Sequence, residues 1–223
     1  DIAVYKNALY ATSANDVTKS TGANLVLTFD ESWWDTTIAL NPLDSNMRHP
    51  LLVYEDYLWI GNGNQLHRTD GTTGTEGFLT LNTGVVIIAL GIDPSTGKML
   101  IAATEGRNGS DTLPRQCKIY VWDGFSAKPS RAVIVDDMVT EIYPLGGVTY
   151  MFYGQNIGYW NGSGITFLRK LKSVTLSGTS LVYKHRVTNI GKTLMIADGV
   201  NVLCLEETLP GQKRWYVNVQ QNA

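Results

Sequence analysis

Cysteine is nearly absent from this chain, with two residues, Cys117 and Cys204, among 223. That excludes a small scaffold held together by disulfides. Histidine is almost as scarce. His49, His67 and His185 form no metal-ligand spacing with one another or with the cysteines, so neither a metal nor any other cofactor is implied. Charge of one sign is missing too: 18 Lys and Arg against 20 Asp and Glu leave a net charge of -2, with no polybasic run. An electrostatic grip on nucleic acid or on an anionic membrane is therefore not expected. No apolar run approaches the roughly 18 residues that span a bilayer. The chain starts at Asp1 without a charged-then-apolar leader, which suits a processed chain or a piece of something longer. Helical periodicity is not evident, and with it goes any phosphate-cradling glycine loop that opens a helix.

What the chain does have is a repeat. Residues 2–19 (IAVYKNALYATSANDVTK) align without a gap onto 51–68 (LLVYEDYLWIGNGNQLHR). The offset of 49 keeps Val4/Val53, Tyr5/Tyr54, Leu9/Leu58 and Asn15/Asn64 identical. A period of roughly 40 to 50 residues made of strands is the mark of a blade-repeat architecture. The unit recurs five times: an apolar strand, a tight turn, a second apolar strand, a Gly/Asn-bearing link and a third strand. Leu9, Leu58, Leu100, Met151 and Leu194 set its register. Asn15, Asn64, Asn156 and Asn201 open the third strand in four units, where Asn suits a turn through side-chain bonds to nearby backbone.

A more polar fourth strand closes each unit, at 25–28, 77–81, 131–135, 165–171 and 214–219. Middle strands such as KIYVW (118–122) are apolar without alternation, so both of their faces are buried. Sheets stacked radially about an axis meet that need. The expected fold is an all-β, five-bladed β-propeller with four antiparallel strands per blade. It forms one domain, with blades near 1–29, 50–81, 86–135, 138–171 and 185–219. Unit one is expected to pack directly on unit five, since no strand is left over for a shared closing blade.

Few residues carry chemistry. Cys117 and Cys204 lie one whole unit apart, too far for a disulfide, and read as buried free thiols. His49 and His185 hold matching places before the first strands of units two and five, which favours a structural role over an acid/base one. The segments 68–77 and 106–111 lack the alternating carboxylates of a calcium loop and read as solvated turns. Asp93, Asp136, Asp137 and Glu141 are the carboxylates near the innermost strands, yet none recurs at equivalent positions, and Asp93 belongs to the turn DPSTG.

Topology says more. In a four-stranded meander, the loops joining strands two and three share one face with those joining strand four to the next unit. The long insertions 30–48, 104–116 and 172–184 all belong to these two classes, so they gather at one mouth of the axis, where repeat proteins build binding surfaces. Trp33 and Trp34 in the first insertion cannot both point the same way if extended. One is expected to pack inward and the other to face a partner, against the alternative that both cover the core. Arg107 and Arg115 in the second insertion are the other candidate contacts.

The repeats YLWIGNGNQLHRTDG, KIYVWDGFSAKPSR and NIGYWNGSGITFLRK, with a WDG or WNG turn after the third strand in units three and four, resemble the degenerate units of β-propellers. The overall texture is similar to propeller domains of phage tail and other virion proteins. That resemblance implies a non-enzymatic structural or interaction module, located in a virion, with other protein chains of a viral assembly as partners. Two alternatives stay open: a carbohydrate-binding propeller lectin, whose partner is a glycan, and a glycoside hydrolase with two axial carboxylates.

Overall fold

The computed structural model describes residues 1–12, 17–20, 29–30, 49–105, 116–171, 187–198, 201–209 and 212–218. Every regular element among them is a strand. Blade one holds β1 (Ile2–Tyr5), β2 (Ala8–Thr12), β3 (Val17–Ser20) and β4 (Phe29–Asp30). Blade two holds β5 (Leu51–Tyr54), β6 (Tyr57–Asn62), β7 (Gln65–Thr69) and β8 (Gly74–Thr80). Blade three holds β9 (Val85–Asp93), β10 (Lys98–Glu105), β11 (Cys117–Trp122) and β12 (Arg131–Val135). Blade four holds β13 (Val139–Leu145), β14 (Val148–Tyr153), β15 (Asn156–Trp160) and β16 (Ile165–Lys170). Blade five holds β17 (Val187–Ile190), β18 (Thr193–Asp198), β19 (Asn201–Leu209) and β20 (Gln212–Asn218). Each group is a four-stranded antiparallel sheet paired in chain order, and the five sheets form a five-bladed β-propeller.

The turns explain why each meander folds back where it does. Lys6-Asn7 and Glu55-Asp56 join the first two strands of blades one and two with φ of 44°, 62°, 48° and 61°. Two successive positive φ values make the turn whose twist matches paired strands, and Asn and Asp tolerate that region best. At the other turn of blades two, three and four, Asp70, Asp123 and Asn161 precede glycines with φ of 91°, 90° and 88°. Each acidic or amide side chain accepts backbone N–H groups two and three residues on: Thr72 and Thr73, Phe125 and Ser126, Ser163 and Gly164. The WDG and WNG turns, and the acidic 68–77 segment, are therefore side-chain-capped hairpins.

The core is divided by joint rather than by blade. One cluster binds blade one to blade two (Tyr10, Val17, Leu58, Ile60) and a second binds two to three (Trp59, Leu66, Met99, Trp122). A third joins three to four (Leu100, Ile119, Ile142, Met151) and a fourth joins four to five (Phe152, Ile157, Leu194, Leu203). The middle strands of blades two, three and four face a neighbour on both sides, which is why they are apolar without alternation. One register differs from expectation: Leu100 packs towards blade four, whereas Leu58, Met151 and Leu194 pack towards the preceding blade, so Met99 is their equivalent. A one-residue offset exchanges the two faces of a strand. Because Met99, Leu100 and Ile101 are all apolar, the sequence pattern does not reveal it.

A polar hook recurs at three joints, from blade one to blade four. The last residue of the innermost strand reaches the next blade: Tyr5 Oη donates to the Asp56 carbonyl, Tyr54 Oη to the Asp123 carbonyl at 3.3 Å, and Asp93 accepts from Trp160 Nε1 at 3.2 Å. Direct packing of unit one on unit five is not seen at the corresponding innermost positions. Ile2 and Val4 are 68% and 70% exposed and Ile190 is 70% exposed.

Candidate insertion-face site

Strand order places the connections β10–β11, β4–β5 and β16–β17 at one end of the sheets, together with the start of every innermost strand. The candidate contacts Trp33, Trp34, Arg107 and Arg115 lie outside the described residues, as does His185. What is described is the platform from which the insertions leave. It is stitched by backbone bonds that recur between blades: Thr12 N–H to the Asp1 carbonyl at 2.9 Å, Gly61 N–H to Pro50 at 3.0 Å and Gly154 N–H to Met138 at 3.1 Å. The link before the third strand is tied to the end of the fourth, through Leu81 N–H to Asn64 and Leu171 N–H to Gln155.

The platform carries a buried polar group that sequence reasoning singled out only in part. His49 is fully buried, with Nδ1 2.9 Å from the Gly61 carbonyl, while its own carbonyl accepts from Thr12 Oγ1 at 2.8 Å. His67 and Asn62 lie beside it in blade two, 1% and 2% exposed. The Gly77 N–H donates to His67 Nδ1 at 2.8 Å, and the Asn62 side-chain amide is 2.7 Å from Nε2. A ring that accepts at Nδ1 holds its proton on Nε2 when neutral. Asn62 must then turn its oxygen towards the ring, an orientation fixed by the bonding network. His67 sits where the register of β7 against β8 shifts between Leu66 and Arg68, so its ring fills the place of a ladder bond. Burial drives its pKa down to about 4, with the Glu76 carboxylate opposing and His49 adding to the fall. Both imidazoles are committed to backbone. His49 is thus held as its repeat position suggests, and His67 became legible only once the irregular pairing was known.

The carboxylates weighed for acid/base chemistry divide. Asp93, 4% exposed, receives Ser95 N–H at 3.0 Å and Ser95 Oγ at 2.6 Å on one oxygen, and Thr96 Oγ1 at 2.9 Å with Trp160 Nε1 on the other. Burial raises its pKa, and these four donors outweigh that and hold it below the ordinary carboxylate range. It is an ionised turn cap at the opposite end of the sheets from the insertions. Asp137 accepts its neighbour's Met138 N–H at 2.8 Å and stands beside the start of β13, while Glu141 lies within that strand.

At the opposite end one aromatic is displayed that the sequence did not single out: Phe125, in the WDGF turn, is 77% exposed. Farther out between blades two and three, the Arg68 guanidinium stacks 3.8 Å from the Phe78 ring centroid and 4.1 Å from that of Tyr57. Trp59 and Trp122 meet edge-on beneath them at 5.2 Å. Cys117 and Cys204 are free and buried, and burial pushes the Cys117 thiol up to about 12. Such a thiol is inert at neutral pH.

No family model and no curated protein matches the chain. Among solved structures it is similar to a catalytically inactive virginiamycin B lyase from Staphylococcus aureus with quinupristin, at 14% identity and a TM-score of 0.57. That match covers 99% of this chain and 69% of the lyase chain. A protein of unknown function from Bacteroides caccae matches at 12% identity and a TM-score of 0.50, covering 92% of this chain and 70% of the other. A β-1,3-galactosidase of glycoside hydrolase family 43 with galactodeoxynojirimycin follows at 8% identity and a TM-score of 0.46. Likeness at this identity passes no activity from those proteins to this one; it establishes that the chain is a β-propeller.

Proposed function

We propose that this chain is a non-enzymatic interaction module that engages another protein through its insertion face. The observation that carries the reading is topological. Three long connections leave the same end of the sheets, whereas at the other end the first turns have two to four residues and the second turns of blades two, three and four are side-chain-capped. The described titratable groups support it, because His49, His67 and Asp93 hold backbone and turns rather than facing open space. Trp33 and Trp34 supply the aromatic surface that interfaces favour, and Arg107 and Arg115 the flanking charge. A place in a phage or other virion particle rests on the sequence texture alone; none of the structures named above is described as a virion protein. The test is photo-crosslinking from positions 33, 34, 107 and 115, with position 125 on the opposite face as control. Protein crosslinks confined to the insertion positions support the reading. Crosslinks only from 125, or conversion of a glycoside by the unmodified chain, overturn it.

A further inference from the structure

The joint between the first and last blades breaks a pattern that the other joints keep. The innermost residue facing the preceding blade is Leu51 in blade two, 9% exposed, and its repeat equivalent in blade one is Ile2, 68% exposed. Val4 stands at 70% where its equivalent Val53 stands at 39%. On the other side, the last residue of the innermost strand is Tyr5, Tyr54 and Asp93 in blades one to three, at 5%, 7% and 4% exposure. In blade four that residue is the half-buried Leu145, and in blade five it is Ile190, 70% exposed. Behind these, Leu9 and Ala11 of β2 and Thr193, Met195 and Ala197 of β18 are half-buried, whereas the middle strands at the formed joints are closed. Four apolar clusters tie the consecutive blades, and none among the described residues ties blade five to blade one.

From this we infer that the two end blades form an unfilled joint, and that its occupant is a pair of further four-stranded blades contributed by polypeptide outside residues 1–223. Each end face has the form of an internal joint with one partner removed, so what fits is another sheet with apolar middle strands. The connections within this chain do not supply it. The longest, residues 31–50, has 20 residues, whereas the most compact blade, from Ile2 to Asp30, takes 29. Ring size fixes the number. Five blades match 69% and 70% of two chains of the same fold, and the remainder has room for about two more of equal size. A second copy is a poor occupant: two five-bladed arcs make a ring well beyond the roughly eight blades at which propellers stop. A head-to-tail contact that does not close produces filaments. This inference is independent of the insertion face.

The test adds one thiol at a time, as Val4→Cys or Ile190→Cys, to a chain whose own cysteines are buried. Maleimide labelling is followed together with the mass in solution. In the 223-residue chain both added thiols should label at nearly the rate of the exposed control Phe125→Cys, in a monomer. A second chain carries an extra copy of residues 85–171 after residue 223 through a Gly/Ser linker, so that β9 to β16 stand in for the missing blades. There both positions should label at least tenfold more slowly, while the control is unchanged. Tenfold protection already present in the monomeric chain would show a closed ring and overturn the inference, and protection that grows with protein concentration would assign the joint to a second copy. Unchanged labelling in a folded extended chain also overturns it. If circular dichroism shows that this extension does not fold, a copy of residues 50–135 replaces it, and failure of both counts against the proposal.

Discussion

His67 shows how one side chain can set a pH limit on this fold. Its folded pKa of about 4 lies below the ordinary 6.5, so the unfolded chain takes up a proton that the folded chain refuses. Stability from this group is complete above pH 6.5 and is lost as pH falls towards 4, by about 3 kcal/mol in all. Protonation at Nδ1 would also face the Gly77 N–H that now donates to it. Urea midpoints of the parent and His67→Gln, measured between pH 4 and 7, should therefore converge as pH falls. Parallel curves would show that His67 does not titrate in this way. Gly91 is the second sensitive residue. A Cβ there would stand 2.2 Å from Ile142 Cγ2 and 2.8 Å from Ile142 Cβ, at the joint between blades three and four. Gly91→Ala should cost about 1–3 kcal/mol, a fall in Tm of several degrees for a chain of this size. An unchanged Tm would mean that β9 and β13 are farther apart than described. Neither residue could be picked from the sequence: Gly91 lies in the apolar run VVIIALGID, and His67 matches no histidine elsewhere in the repeat.

At the scale of elements, the capped turn recurs in blades two, three and four. Asp123 accepts Ser126 N–H at 2.8 Å and Phe125 N–H at 3.1 Å, and Trp122 Nε1 donates to the Ser126 carbonyl at 2.7 Å, so one turn fixes both the hairpin and a core indole. Burial tends to raise the Asp123 pKa, and the bonds from Ser126 and Phe125 reverse that. Asp123→Ala should destabilise by about 1 kcal/mol, and Asp123→Asn, which keeps an accepting oxygen as Asn161 does in blade four, should recover most of it. Thermal melts of the two variants check this; equal losses would show that charge rather than the cap matters. Strand identity, turn positions and the WDG/WNG turn were legible because they rest on local chemistry: apolar runs, Asn and Asp before Gly, and a gap-free repeat of 2–19 in 51–68. The face assignment of Leu100 was not, because both faces of a radially packed strand are apolar and the pattern carries no phase. The third strand of blade five runs from Asn201 to Leu209, with Glu206 and Glu207 in register with Arg214 and Lys213 of β20.

For the molecule as a whole, the sequence yielded five units of four strands and the end from which the insertions leave, because period and meander topology depend only on order along the chain. Counting strands does not by itself decide how blades one and five meet. The sequence pattern treats Ile2 and Leu51 as equivalents, and only burial separates them. Cys117 and Cys204 lie in blades three and five, and a thiol titration of unfolded, unreduced protein should count two groups; none would contradict the strand placement. The candidate contacts were legible only as residue types in insertions, since Trp33, Trp34, Arg107 and Arg115 have no repeat equivalents to fix their direction. The central claim is that the insertion face is a protein-binding surface, and its most direct test replaces Trp33 and Trp34 singly by Ala. Binding to the protein identified by crosslinking is measured beside thermal stability. The account predicts that at least one substitution weakens binding by about 2 kcal/mol or more while Tm stays within a few degrees of the parent. If both variants unfold early and bind in proportion to the folded fraction that remains, the pair belongs to the core and the insertion face is not the binding surface.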